Sequence, residues 1–117
     1  MTTKNLSIIT INYNQAEGLE CTIKSVIQQT YKDYEFLVID GGSQDASKNI
    51  LDNYKQYIDY AVSEKDKGIY DAQNKGIEKA KGNYLLFLNA GDTLYNKDVL
   101  QDVFSTAAQE DLIYGNV

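Results

Sequence analysis

Residues 85–94 read LLFLNAGDTL. The run 85–88 is apolar, and Asn89, Ala90, Gly91 and Asp92 follow as a polar turn of mostly small residues. The pattern predicts a buried strand that delivers one carboxylate, Asp92, to its carboxyl end. In open α/β sheets, ligands bind outside that edge. A carboxylate among small neighbours can hold a divalent cation there against a diphosphate. The same segment also reads as a plain strand-to-helix turn, with Asp92 bonded to its own backbone.

The rest of the chain gives this strand its neighbours. Residues 6–11, 35–39 and 112–114 are short, nearly all apolar and rich in β-branched or aromatic side chains. Continuous apolar runs suit a parallel sheet covered on both faces. Residues 58–62 alternate more and predict an edge strand. Between the strands lie helical patterns. Leu19, Ile23, Val26 and Ile27 share one face. Ile50, Leu51, Tyr54 and Tyr57 do the same, after a Ser43 placed to cap that helix with Asp45 in its first turn. Ile69, Ala72, Gly76, Ile77 and Ala80 form a narrow stripe that Gly82 would end. Val99, Leu100, Val103, Phe104 and Ala107 form a fourth face. The order β-α-β-α-β-α-β-α-β implies right-handed crossovers and a layered α/β fold.

Composition narrows the function. A chain of 117 residues makes one domain at most. The net charge of −6 argues against a nucleic-acid groove. The chain has no Arg and no His, so basic contacts to phosphate fall to Lys, and imidazole chemistry is excluded within it. A single Cys21 excludes an internal disulfide; its place in a helical pattern suggests a packed or partly buried thiol. The first apolar run is too short for a signal peptide or a membrane span. The expected location is the cytoplasm, free or peripheral at the inner face of the cell membrane. The fifth strand, 111–114, ends just before the chain does, which suggests an N-terminal piece of something longer or a domain needing a partner.

In an alternating parallel sheet the strand ends converge on one edge. That edge would collect the aromatic ring of Tyr13, the carboxylates of Asp40 and Asp92, glycines at 41, 42, 68 and 91, and a mobile cation, Lys67. An aromatic face can stack on a base, and a carboxylate can accept a pyrimidine N–H, a bond that discriminates because leaving it unmade is costly. Glycines let backbone approach a ligand closely. Each feature has a plainer reading: a turn with a helix cap at Asp40, packing under a loop for Tyr13, and a solvated surface run for Lys65 and Lys67.

Three ordered segments, SIITINYN, TIKSVIQQTYKDYEFLVIDGGSQD and DKGIYDAQNKGIEKAKGNYLLFLNAGD, resemble the family 2 glycosyltransferases across practically the whole chain. DKGIYDAQNKGI is similar to a bacterial subgroup that builds surface polysaccharides. The resemblance implies a three-layer, Rossmann-like GT-A fold, with a mostly parallel sheet and helices on both faces. It makes 1–117 the nucleotide-sugar-binding N-terminal part of a catalytic domain, truncated before the acceptor-side half. It implies a donor site in which Thr10, Ile11 and Tyr13 frame the base. Asp40, beside Gly41, reads uracil or another base. Lys67, Asp71 and Asn74 present polar groups to the donor. Asn89, Ala90, Gly91 and Asp92 stand where the family has its metal motif. Two of that motif's acids are absent here, which leaves Asp92 as the metal ligand for magnesium or manganese. The implied substrates are a nucleotide-diphosphate sugar, with a UDP-sugar favoured, and a glycan or lipid-linked acceptor; the catalytic base is expected beyond Val117. Two rivals are a non-catalytic nucleotide-binding module and a phospho-receiver domain. The second lacks its acidic pair after the first strand.

Overall fold

The computed structural model describes residues 4–106. Strand β1 is Leu6–Asn12, β2 Tyr34–Asp40, β3 Tyr60–Ser63 and β4 Tyr84–Asn89. Helix α1 is Ala16–Ile27, α2 Ser47–Asn53, α3 Ile69–Lys79 and α4 Val99–Thr106. The four strands form one parallel sheet in the order β3-β2-β1-β4. Leu6 pairs with both Tyr34 and Tyr84, and Asn12 with Asp40. β1 and β2 are therefore central, which accounts for their unbroken apolar runs, and β3 is the edge strand its alternation predicts. The expected fifth strand and Ala107 lie outside the described residues.

Strand alternation divides the core in two. Leu6, Ile8, Phe36, Val38, Leu86 and Leu88 point to one face, where Leu19, Ile23 and Val26 of α1, Leu51 of α2 and Val99 and Leu100 of α4 cover them. Ile9, Leu37 and Ile39 point to the other face, where Ala72 of α3 packs on them. Full burial of a Leu, Ile or Phe side chain stabilises by about 1.5–3 kcal/mol, so the first face carries most of the hydrophobic stabilisation. α3 makes its contact through small residues. A Cβ at Gly76 would fall 2.5 Å from Ile9 Cγ2, so the absence of a side chain there sets how closely α3 approaches β1. That close contact is narrow. Ile69 and Ile77, at the rim of the stripe, remain 47% and 46% exposed.

Four local expectations are corrected. Ser43 does not cap α2. The helix begins at Ser47 with no side-chain cap, because the Ser43 hydroxyl donates to Asp40 Oδ1 at 2.6 Å. Asp45 precedes the helix and accepts the Ser47 N–H. Tyr57 falls in a separate 3-10 turn, Lys55–Tyr57, rather than on α2. Helix α3 stops at Lys79 with Ala80 already extended, short of Gly82. Cys21 is exposed, on the outer side of α1.

Candidate functional site

The carboxyl ends of the strands open onto a cleft of about 600 Å³. β1 supplies Ile11 and Asn12, and Tyr13 and Gln15 follow from its turn. Gly41 lines it after β2, and Asn89 and Ala90 line it at the end of β4. The loop before α3 adds Lys65, Asp66 and Gly68, and α3 itself adds Ile69 and Ala72. Of the residues expected to converge there, Tyr13, Gly41 and Gly68 line the cleft; Asp40, Gly42, Lys67, Gly91 and Asp92 are not among its lining residues. Which side chains face the cleft is decided by strand parity: Ile11 continues the Ile9 face, which α3 covers. The cleft therefore opens on the α3 side of the sheet.

Parity sends Asp40 the other way. It follows Phe36 and Val38 and is fully buried. Its Oδ1 accepts Asn12 Nδ2 and Ser43 Oγ, both at 2.6 Å. Its Oδ2 accepts the Ser63 hydroxyl at 2.7 Å and the N–H groups of Ser43 and Gly42 at 2.9 and 3.2 Å. Asn12 Nδ2 also reaches Ser47 Oγ at 2.9 Å, which ties the node to the start of α2. Burial pushes the Asp40 carboxyl up, but the bonds donated by Ser43, Ser63 and Asn12 outweigh it and hold it below its ordinary value. Asp40 therefore has a task in the fold: its two oxygens accept five internal hydrogen bonds, and it is not among the residues that line the cleft. Thr10 does not line the cleft either. It is fully buried on that same face, and its hydroxyl has no partner among the described residues.

The remaining residues divide. Ile11, Gly41, Asn89 and Ala90 line the cleft, and Tyr13 does so with 60% of its surface exposed. Lys67 is exposed, and its backbone N–H donates to Asp71 Oδ2 at 2.9 Å. Asp71 also lies 3.9 Å from Lys75 Nζ. Lys67, Asp71 and Asn74 are not among the lining residues; Lys65 and Asp66, in the same loop, are. No local pattern separates Lys65 from Lys67, and only the path of the loop decides between them.

The turn after β4 is held from outside the sheet. Gly91 has φ +103°, a conformation that favours glycine. Asp92 Oδ2 accepts the Asn89 N–H at 3.0 Å, and Asp92 N–H returns to the Asn89 carbonyl at 2.8 Å. Thr22 of α1 fixes the turn. Its hydroxyl donates to the Asp92 carbonyl at 2.6 Å and accepts the Gly91 N–H at 3.0 Å. Sequence reasoning missed Thr22 because it lies on the same face of α1 as the apolar residues. Among the described residues no three His, Cys, Asp or Glu side chains cluster as a metal cage. Asp92 is not among the lining residues; it lies two residues past the lining Ala90, with Oδ2 bonded to the Asn89 N–H and Oδ1 without a hydrogen-bond partner among the described residues, so it could offer a cation at most one protein carboxylate. No helix among the described residues is long and apolar enough to cross a membrane.

Comparison with known proteins adds to this geometry. A family profile described as glycosyl transferase family 2 matches residues 7–117. A glycosyltransferase of Mycobacterium tuberculosis (strain ATCC 25177 / H37Ra), named for PGL/p-HBAD biosynthesis, is 36% identical over 117 residues, which is 95% of this chain and 46% of that protein. A Bacillus subtilis (strain 168) protein named for teichuronic acid biosynthesis, TuaG, is 33% identical over 82% of this chain and 39% of its own. The chain thus spans less than half the length of these relatives. Among solved structures, Staphylococcus aureus TarS superposes with a TM-score of 0.80 at 24% identity, over 90% of this chain and 20% of TarS. The Pyrobaculum calidifontis mannosyltransferase PcManGT, solved with GDP-Man and Mn2+, gives 0.80 at 20% identity, over 92% of this chain and 33% of its own.

Proposed function

Because this chain belongs to glycosyl transferase family 2 and has the fold of its GT-A members, we propose that its cleft is the donor site for a nucleoside-diphosphate sugar, a UDP-sugar first. One observation carries the reading. Strand parity and the β4 turn bring an aromatic ring, Tyr13, a strand end without a side chain, Gly41, and the Asn89–Ala90 turn into a single cleft, with Asp92 next along the chain. TarS has been solved with UDP-GlcNAc and PcManGT with GDP-Man, so nucleotide sugars bind other proteins of this fold.

In this reading the sugar lies toward the Asn89–Asp92 turn and the base toward Tyr13. Asp92 would hold a divalent cation, which supplies positive charge to the diphosphate leaving group when bound. The reaction is an inverting displacement. An acceptor hydroxyl oxygen bonds to the anomeric carbon, the carbon–oxygen bond to the diphosphate breaks, and the hydroxyl proton passes to a base. That base is placed beyond residue 117, within the length of the relatives that this chain does not span. The acceptor in this reading is a glycan or a lipid-linked acceptor in bacterial polysaccharide synthesis; the relatives are named for PGL/p-HBAD biosynthesis and for teichuronic acid biosynthesis.

Calorimetry with UDP, GDP and ADP, with and without magnesium or manganese, tests this. UDP should bind, the metal should strengthen binding, and Asp92→Ala should remove only that enhancement. Absence of binding by all three nucleotides would overturn the reading.

A further inference from the structure

With Asp40 bonded into the fold, the cleft still contains one carboxylate that the donor reading leaves without a task. Asp66 lines the cleft and is half-buried. Its Oδ1 accepts the Gly68 N–H at 3.2 Å. Its Oδ2 has no hydrogen-bond or ion-pair partner among the described residues, and it lies against Gly41. A Cβ at position 41 would fall 3.0 Å from Oδ2. The carboxylate from the α3 loop therefore occupies the space that a side chain at the end of β2 would take. Gly41 itself is fixed by its N–H, which donates to the Asn12 carbonyl at 2.9 Å.

Resting on the donor reading, we infer that Asp66, through Oδ2, is the residue that selects the nucleobase, by accepting its ring N–H. Asp66 is brought to the strand end by the loop, and the lack of a side chain at Gly41 makes room for it. The chemistry fits uracil. Uracil offers a single ring N–H, at N3, on its Watson–Crick edge, and Asp66 has a single unengaged oxygen. Guanine presents an adjacent N–H pair that would ask for both oxygens, one of which Gly68 already holds. Cytosine and adenine present no ring N–H on that edge. Tyr13 lines the same cleft and offers a face for the base plane.

The test uses the chain with UDP and with UDP methylated at uracil N3, which removes the one donor while keeping the base and the diphosphate. UDP should bind at least about tenfold more tightly than its N3-methyl analogue, the effect expected of one half-buried charge-assisted hydrogen bond. In Asp66→Ala the two should bind alike, at the analogue's affinity. Thermal unfolding should barely move, since the substitution removes only the bond to Gly68. If UDP binds and methylation costs nothing, or if the gap survives in Asp66→Ala, the role given to Asp66 is overturned while the donor site stands. If neither ligand binds, the donor reading falls and this inference with it.

Discussion

Asp40 and Asp66 are both acids at the carboxyl edge of the same sheet, and they do opposite work. Asp40 lies on the face covered by α1 and α2, fully buried, with five hydrogen bonds converging on its two oxygens. Asp66 lies on the α3 side, half-buried in the cleft, with one oxygen bonded and the other without a partner among the described residues. Position at a strand end does not by itself make a carboxylate functional. The face it turns to, and the donors already claimed there, decide whether it organises the fold or has lone pairs left for a ligand.

The largest way to break this comparison is Asp40→Ala. It leaves the buried groups of Asn12 and Ser43 without their acceptor, at about 1–3 kcal/mol for each group left unpaired, while the exposed Ser63 hydroxyl can turn to water. A loss on the order of 3 kcal/mol or more in denaturant unfolding is expected, a large share of a typical domain's stability. A stable Asp40→Ala chain that merely bound nucleotide less well would reverse the roles given to the two acids. Gly76→Val should come next. Its side chain would press on Ile9 and push α3 from the sheet, at about 1–3 kcal/mol as for other overpacked cores, and it should loosen the cleft wall that α3 provides. Thr22→Val should cost about 1 kcal/mol. It should also weaken the metal's enhancement of nucleotide binding, because the turn carrying Asp92 loses its clamp; an unchanged enhancement would show that the turn holds itself.

Acid should act through Asp40 as well. Its carboxyl is held below the ordinary value in the folded chain, so the unfolded chain takes up the proton first. The stability it contributes is complete above about pH 4, the unfolded carboxyl's range. It is lost as pH falls through the folded value. Asp40→Asn should flatten that part of the acid unfolding curve.

The fold was legible because the hydrophobic pattern is consistent at every level. Apolar runs at 6–11 and 35–39 are long enough to be central strands, and the alternation at 58–62 marks an edge. Orientation was harder to read. Ser43 looks like a helix cap, since Ser followed by Asp45 is good cap chemistry, but a buried carboxylate three residues earlier is the stronger claim on its hydroxyl. Asp40 looked like a base reader because it ends a strand. Its neighbours Gly41 and Ile11 are the ones that share the cleft's parity, and that alternation is present in the sequence itself. The meeting of Asp66 with Gly41 had a weaker signal, a missing side chain at one strand end and an Asp-Lys-Gly turn after the next. Thr22 had none beyond a polar residue on an apolar helix face.

Ligand should bind on the α3 face of the strand ends, while the Asp40 node on the other face only builds the fold. Amide chemical shifts of the labelled chain titrated with UDP and magnesium test it most directly. The largest changes are expected at Tyr13, Gly41, Asp66, Gly68 and Ala90, with Ser47, Asn49 and Leu51 of α2 unmoved. Changes centred on α2 and absent from the α3 loop would contradict it.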